Sequence, residues 1–257
     1  MKLTLLLLGF IVFAIPEIKV INLPIIGRTL EFSSKESAQI VQDYIPPISS
    51  KKTSRTKGAG SRGCDLISAT DLQLLTPEDH IATTVSSRPT FFWSISNTSL
   101  PVRFTLIEPG VAKPIMDRKF MVTRPGVVEV KLPSDRPGLK LGKEYRWTVS
   151  IVCNEERPSE NTYAYSWIKR VAITPKLVHN LAGVDMRSQK RSLVYARSGI
   201  WYDALLSSYT GYKTHPQDKI ALWYFSRLLA QIGVLATDKH LQSGTIVTNF
   251  QAYVINK

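Results

Sequence analysis

The sequence predicts a mainly β chain with a helical end: an antiparallel β-sandwich followed by a C-terminal helical hairpin. Three observations carry the prediction. Between residues 90 and 171 apolar side chains recur at alternate positions in short runs, the period of a strand with one face in a core. Turn dipeptides separate the runs at Pro109-Gly110, Pro125-Gly126, Pro137-Gly138 and Leu141-Gly142. After Ile173 the apolar period lengthens to that of a helix. With 257 residues, 44% of them hydrophobic, the chain is long enough to bury a sizeable core.

The strands follow in order. Phe91, Trp93 and Ile95 share a phase in residues 90–96, as do Val102, Phe104 and Leu106 in 102–106, and Val128, Val130 and Leu132 in 128–132. Lys113 to Val122 supplies another strand, and Tyr163 to Val171 a further one. The clearest is Lys143–Cys153, where Tyr145, Trp147, Val149, Ile151 and Cys153 point inward against Glu144, Arg146, Thr148 and Ser150. Six or seven short strands at this spacing fit a sandwich over residues 64–174. Within it, Leu141-Gly142-Lys143-Glu144-Tyr145-Arg146-Trp147 resembles the tyrosine corner of immunoglobulin-like and fibronectin-type domains, where a tyrosine hydroxyl ties a turn to a late strand. The sandwich is therefore expected to be immunoglobulin-like.

Residues 175–235 form the helical segment. Thr174-Pro175 is a cap followed by proline at the first helical position, and Leu177, Val178, Leu181 and Val184 then recur at helical spacing. A second helix is expected to end at Gly199. From Tyr195 through Gly199, Trp201, Ala204, Ser208 and Gly211 to Pro216, the offsets match the second half of a tetratricopeptide repeat. Pro216 would open a last helix carrying Ile220, Trp223, Leu228, Leu229 and Ile232 to Gly233. The first half of the repeat is not matched, because Ser188 and Arg191 stand where large apolar residues belong. A lone hairpin of this kind is expected to pack on the sandwich. Residues 236–257 form a C-terminal tail, whose alternating Thr245 to Ile255 reads as an added strand or a loose end.

The N-terminus speaks to location. Residues 1–20 open with Met1-Lys2 and an apolar run from Leu3 to Ile15, which reads as a signal peptide, with a retained membrane anchor as the alternative. The run is shorter than the roughly 20 residues that span a bilayer. Export would carry the chain to an oxidising compartment, secreted or periplasmic, where a Cys64–Cys153 disulfide is expected to close. Such a bridge, worth about 2 to 4 kcal/mol, would place the start of the folded part near residue 64.

The net charge of +13 is unevenly spread. Residues 64–174 carry 14 basic and 12 acidic groups, so the excess lies at the two ends. Lys51, Lys52, Arg55, Lys57 and Arg62 sit in a Ser/Gly/Pro-rich tract, and residues 21–63 read as a mostly disordered basic linker. It could lie against anionic lipid headgroups or an acidic wall polymer. Export argues against nucleic acid as the partner. Gly58-Ala59-Gly60-Ser61-Arg62-Gly63 spells a dinucleotide fingerprint but lacks the flanking strand and helix, so no cofactor is assigned.

Catalytic chemistry finds no constellation. None of His80, His179, His215 and His240 has a second histidine or a cysteine within four residues, and no G-x-S-x-G elbow occurs. Asp203 beside Trp201 and Tyr202 is the most suggestive acid, yet an aspartate in the first turn of a helix already serves the helix dipole. The Glu155-Glu156 pair falls in a loop. No catalytic residue, cofactor or metal site is assigned.

The chain resembles a cyanobacterial envelope family known as domain of unknown function 928. The resemblance spans residues 60–235. It rests on Gly63-Cys64, Thr76-Pro77, Arg88-Pro89-Thr90-Phe91-Phe92-Trp93, Tyr145-Arg146-Trp147 through Cys153, and Gly199-Ile200-Trp201-Tyr202-Asp203-Ala204. It implies an exported protein with this order of parts and supplies no activity. The expected function is a non-enzymatic envelope protein that binds a protein partner through the sandwich edge or the hairpin. The alternative is a carbohydrate- or cell-wall-binding sandwich. Phase assigns Trp93 and Trp147 to the core, leaving Tyr163, Tyr165, Trp167, Trp201 and Asp203 as the partner or sugar contacts, and a solvent-facing row of the first three would favour the sugar.

Overall fold

The computed structural model describes residues 44–47, 52–59, 70–185, 190–234 and 253–254, all within one compact unit. The chain is β plus α: a curled, largely antiparallel sheet, a half-barrel, followed by four helices. The strands are β1 (Arg55–Ala59), β2 (Leu72–Leu74), β3 (Ala82–Thr84), β4 (Thr90–Ile95), β5 (Val102–Ile107), β6 (Met116–Met121), β7 (Gly126–Lys131), β8 (Glu144–Ile151), β9 (Thr162–Arg170) and β10 (Tyr253–Val254). Their order is β10-β6-β5-β8-β9-β1-β2-β4-β7. β3 is the exception in direction, pairing parallel with β9 through Ala82↔Ile168 to Thr84↔Arg170.

Alternation builds the core as expected. β5 buries Val102, Phe104 and Leu106, and β8 buries Tyr145, Trp147, Val149 and Ile151, each at 1% exposure or less. The sheet curls so that β4 faces β5, β6 and β8. Trp93 stacks on Phe104 at 6.0 Å and on Phe120 at 5.9 Å, and Phe91 meets Trp147 at 5.2 Å. Offset and tilted pairs of this kind add to the burial of each ring. The Tyr145 hydroxyl accepts a hydrogen bond from the Lys140 amide at 2.9 Å, tying the preceding turn to the start of β8.

The N-terminal linker requires correction. Residues 55–59 of the supposed disordered tract form β1, which sits inside the sheet, paired with β2 on one side and β9 on the other. Thr53 and Thr56 are good strand formers. Thr56, and Ser54 just before the strand, are buried while Arg55 and Lys57 point to solvent, so the segment alternates small polar against cationic instead of apolar against polar. Gly58 is required by close approach: a β-carbon there would lie 2.9 Å from that of Leu72. It is a strand residue, not part of a phosphate loop. Order also begins before residue 64, since Tyr44 belongs to the core at 3% exposure.

The helices are α1 (Pro175–Ala182), α2 (Lys190–Arg197), α3 (Trp201–Thr214) and α4 (Lys219–Gln231). Thr174 caps α1, its hydroxyl accepting from the Leu177 amide at 3.2 Å. α2 ends as the sequence suggests: Gly199, at φ +75°, donates to the Ala196 carbonyl, and Ile200 to that of Tyr195, the Schellman pattern. α4 starts later than Pro216, at an Asp218 cap. Of the apolar residues it carries, Ile220 and Trp223 point outward while Ala221, Phe225, Leu228 and Leu229 are buried. Val178 of α1 is likewise exposed.

α3 joins helices to sheet. Tyr202 enters between the two halves of the sheet against Phe91, and Tyr209 covers the other face of β4 at Phe92. β4 is therefore buried on both faces along its whole length, not half-buried. The backbone of Tyr253–Val254 pairs with β6. Among the described residues no helix is long and apolar enough to cross a membrane.

Candidate functional site

β9 lies between β8 on one side and β1 and β3 on the other. Because side chains alternate, Thr162, Ala164, Ser166 and Ile168 are buried, and Tyr163, Tyr165 and Trp167 form a half-buried row on the outer face. Tyr163 and Tyr165 run nearly parallel, with ring centroids 6.5 Å apart. Lys169 continues the same phase.

Each ring carries a cation. The Lys52 ammonium stands 3.4 Å from the Trp167 centroid, the Arg55 guanidinium 5.0 Å from that of Tyr163, and the Arg146 guanidinium 5.8 Å from that of Tyr165. All lie within the roughly 6 Å over which a ring quadrupole attracts a cation. Lys52 also pairs with Glu144 at 3.0 Å. Among the described residues Arg55, Lys57, Arg146 and Lys169 have no ion-pair partner, so the face is strongly positive.

The row is held from behind. Ser166 Oγ stands 3.1 Å from Ser54 Oγ, fastening β9 to the residue just before β1 within the core. The Trp147 indole donates to the Tyr202 hydroxyl at 2.8 Å, and that hydroxyl donates in turn to the Trp167 carbonyl at 3.4 Å. Burial drives the Tyr202 hydroxyl well above the ordinary tyrosine range, so it remains a donor.

Two of the candidate contact residues, Trp201 and Asp203, are engaged by the fold itself. Trp201 is fully buried, with its indole donating to the Leu75 carbonyl at 3.0 Å, because the first turn of α3 drives into the core. Asp203 accepts from the Thr84 hydroxyl at 2.7 Å and the Val85 amide at 3.2 Å, which fixes α3 to the end of β3. Burial pushes its carboxyl above the usual range, while those two hydrogen bonds pull it down. Cys153 lies two residues beyond β8, half-buried against the core, with its amide donating to Asn161 Oδ1 at 2.8 Å. Its expected partner Cys64 lies outside the described residues.

A second polar cluster had no sequence signal. The Tyr44 hydroxyl is 2.7 Å from His80 Nε2, and His80 Nδ1 is 2.7 Å from Asp79 Oδ1. The Tyr44 ring packs edge-on against Trp201, and its amide donates to Gln231 Oε1 at 2.8 Å. Burial raises the Tyr44 hydroxyl well above its ordinary value. The cluster straps residues 44–47 across the junction of sheet and helices. Among the described residues no group of His, Cys, Asp and Glu is arranged to hold a metal.

Residues 57–240 match the family described as Domain of Unknown Function (DUF928). The chain belongs to the DUF928 family. The matched region of this DUF928 chain begins within β1 and takes in β2 to β9 and all four helices. No curated protein matches it. Among solved structures, a multi-domain immunophilin from Arabidopsis thaliana aligns over 78% of this chain and 97% of that one, at 8% identity and a TM-score of 0.16, a likeness that carries no argument.

Proposed function

We propose that this DUF928 protein is a non-enzymatic binding protein of the cell envelope that holds a carbohydrate or wall polymer on the outer face of β9. The observation that carries the reading is the row Tyr163, Tyr165 and Trp167, three rings on one face of one strand, left half-buried. Flat apolar rings flanked by polar groups suit sugar rings, whose axial C–H faces are apolar and whose rims are hydroxylated. The test is retention on insoluble polysaccharide. Replacing any one ring by alanine should weaken binding by roughly 2- to 12-fold, the equivalent of about 0.5–1.5 kcal/mol per ring. Unchanged retention in all three variants would sink the reading.

The finer architecture belongs to the same proposal. The sheet is a distorted immunoglobulin-like sandwich, supported by the β4 rings facing β5, β6 and β8 and by the Tyr145 hydroxyl on the Lys140 amide. α2 and α3 are a tetratricopeptide-like hairpin, supported by the Gly199 turn and the buried Ala204 and Ser208. Export through the apolar N-terminus supports a periplasmic or secreted location and a Cys64–Cys153 bridge; two free thiols per unreduced chain would refute the bridge.

A second reading, a protein partner held by the helical segment at α4, which follows the hairpin, is favoured by Ile220 at 63% and Trp223 at 48% exposure on its solvent side. A photo-crosslinker at position 223 should then capture one defined protein, and Ile220→Asp should abolish the capture.

A further inference from the structure

The basic tract at residues 52–57 and the aromatic row at 163–167 are more than a hundred residues apart in sequence, yet they form one surface. From this juxtaposition we infer that the β9 face selects an acidic polysaccharide, its carboxylate or sulfate groups read by Arg55 and Arg146. The inference rests on the reading of that face as a glycan site.

The arrangement differs from a platform for neutral sugars. Bare rings would suffice for a neutral polymer, whereas here each ring has a cation beside it. The three cations are not equivalent. Lys52 lies close against Trp167 and is paired with Glu144, so it is a positioning residue that fixes the indole. Arg55 and Arg146 are exposed, lie farther from their rings and have no acidic partner among the described residues. A guanidinium held only by a ring quadrupole at this distance is free to turn towards a carboxylate or sulfate, which it can grip with two parallel hydrogen bonds. Turning away also uncovers the ring for a sugar face. Lys169 extends the positive strip along the same strand, so a polymer with charge repeated along its length is matched at several points.

The experiment measures binding of the full chain to polygalacturonate, dextran sulfate, neutral dextran, vesicles rich in anionic phospholipid and single-stranded DNA. Acidic polysaccharide should bind at least tenfold tighter than neutral dextran, and that binding should weaken several-fold as salt rises through about 0.1 M, where the screening length is about 10 Å. The double variant Arg55→Gln/Arg146→Gln should lose at least tenfold for polygalacturonate while its thermal melt stays put, since both side chains are exposed. Lys113→Gln, which removes an exposed cation elsewhere, should bind as the parent does. Equal, salt-insensitive binding of neutral and acidic polymers would overturn the inference and leave the glycan reading standing. Binding to no polysaccharide would overturn both. Tighter binding to vesicles or DNA than to either acidic polysaccharide would overturn the choice of ligand class, and an equal loss in Lys113→Gln would reduce the effect to net charge.

Discussion

Lys52 and Trp167 meet with the ammonium 3.4 Å from the indole centroid, and the same nitrogen lies 3.0 Å from Glu144 Oε2. A cation shared between a ring face and a carboxylate has its position fixed from two directions. The Lys52 side chain is still 36% exposed, so the pair orders the surface more than it stabilises the fold.

Lys52→Ala should therefore cost less than about 1 kcal/mol in urea unfolding, in line with exposed cation–π pairs. It should nevertheless make Trp167 more accessible. In a Trp223→Phe background the remaining tryptophans, Trp93, Trp147 and Trp201, are fully buried, so quenching by a neutral quencher reads Trp167 alone. No gain in quenching would contradict the contact.

Tyr202→Phe removes the hydroxyl between the Trp147 indole and the Trp167 carbonyl. The buried indole N–H is left without its acceptor, a loss of about 1–3 kcal/mol. Urea unfolding should show a lowered midpoint with an unchanged slope. Glycan binding should fall as well, if this hydroxyl holds β9 from behind.

Gly199 should tolerate no side chain. Its φ is +75°, and an added β-carbon would lie 3.0 Å from the Ile45 carbonyl oxygen. Gly110 has φ +81° but open space around it. Gly110→Ala should cost the conformational term alone, about 1–2 kcal/mol, and Gly199→Ala clearly more. Equal losses would show that the strap at 44–47 moves aside freely.

Acid stability should carry a signature of Asp203. Burial is the larger influence and raises its carboxyl above the unfolded value of about 4. The native state thus keeps the proton longer than the unfolded state, so this group's contribution falls as pH rises from about 4 through the raised value and is level above it. Asp203→Asn should remove that decline from a series of urea midpoints, while Asp203→Ala should lower stability at every pH by stranding the Thr84 hydroxyl.

Alkali should unfold the protein steeply. Burial first, then Glu129 and Tyr212, push the Tyr209 hydroxyl up to about 12, and Tyr44 and Tyr202 are raised further by burial. Their stabilisation is complete below the unfolded value of about 10 and is lost as pH climbs through the folded values. Tyr209→Phe should make the fall in stability above about pH 10 shallower.

The sequence by itself determined the strands with apolar alternation, the Tyr145 tie, the Thr174 cap and the Gly199 turn. Each is a local matter of side-chain period or backbone conformation, and it survives in any tertiary setting. It also determined that Trp93 and Trp147 lie inside, because their phase is shared with Phe91, Val149 and Ile151. Strand β1 escaped because the buried side chains at its start are Thr56 and, just before it, Ser54, small polar groups with no apolar alternation to mark them. Helical period placed Ile220 and Trp223 in one helix with Leu228 and Leu229 but did not fix which of them meet the core, and both face solvent. Only the tertiary structure decided that Trp201 is enclosed, that Tyr44 reaches His80, and that Lys52, Arg55 and Arg146 converge on Trp167, Tyr163 and Tyr165. Residues so distant in the chain share no local constraint, and their meeting is fixed by which strands lie side by side.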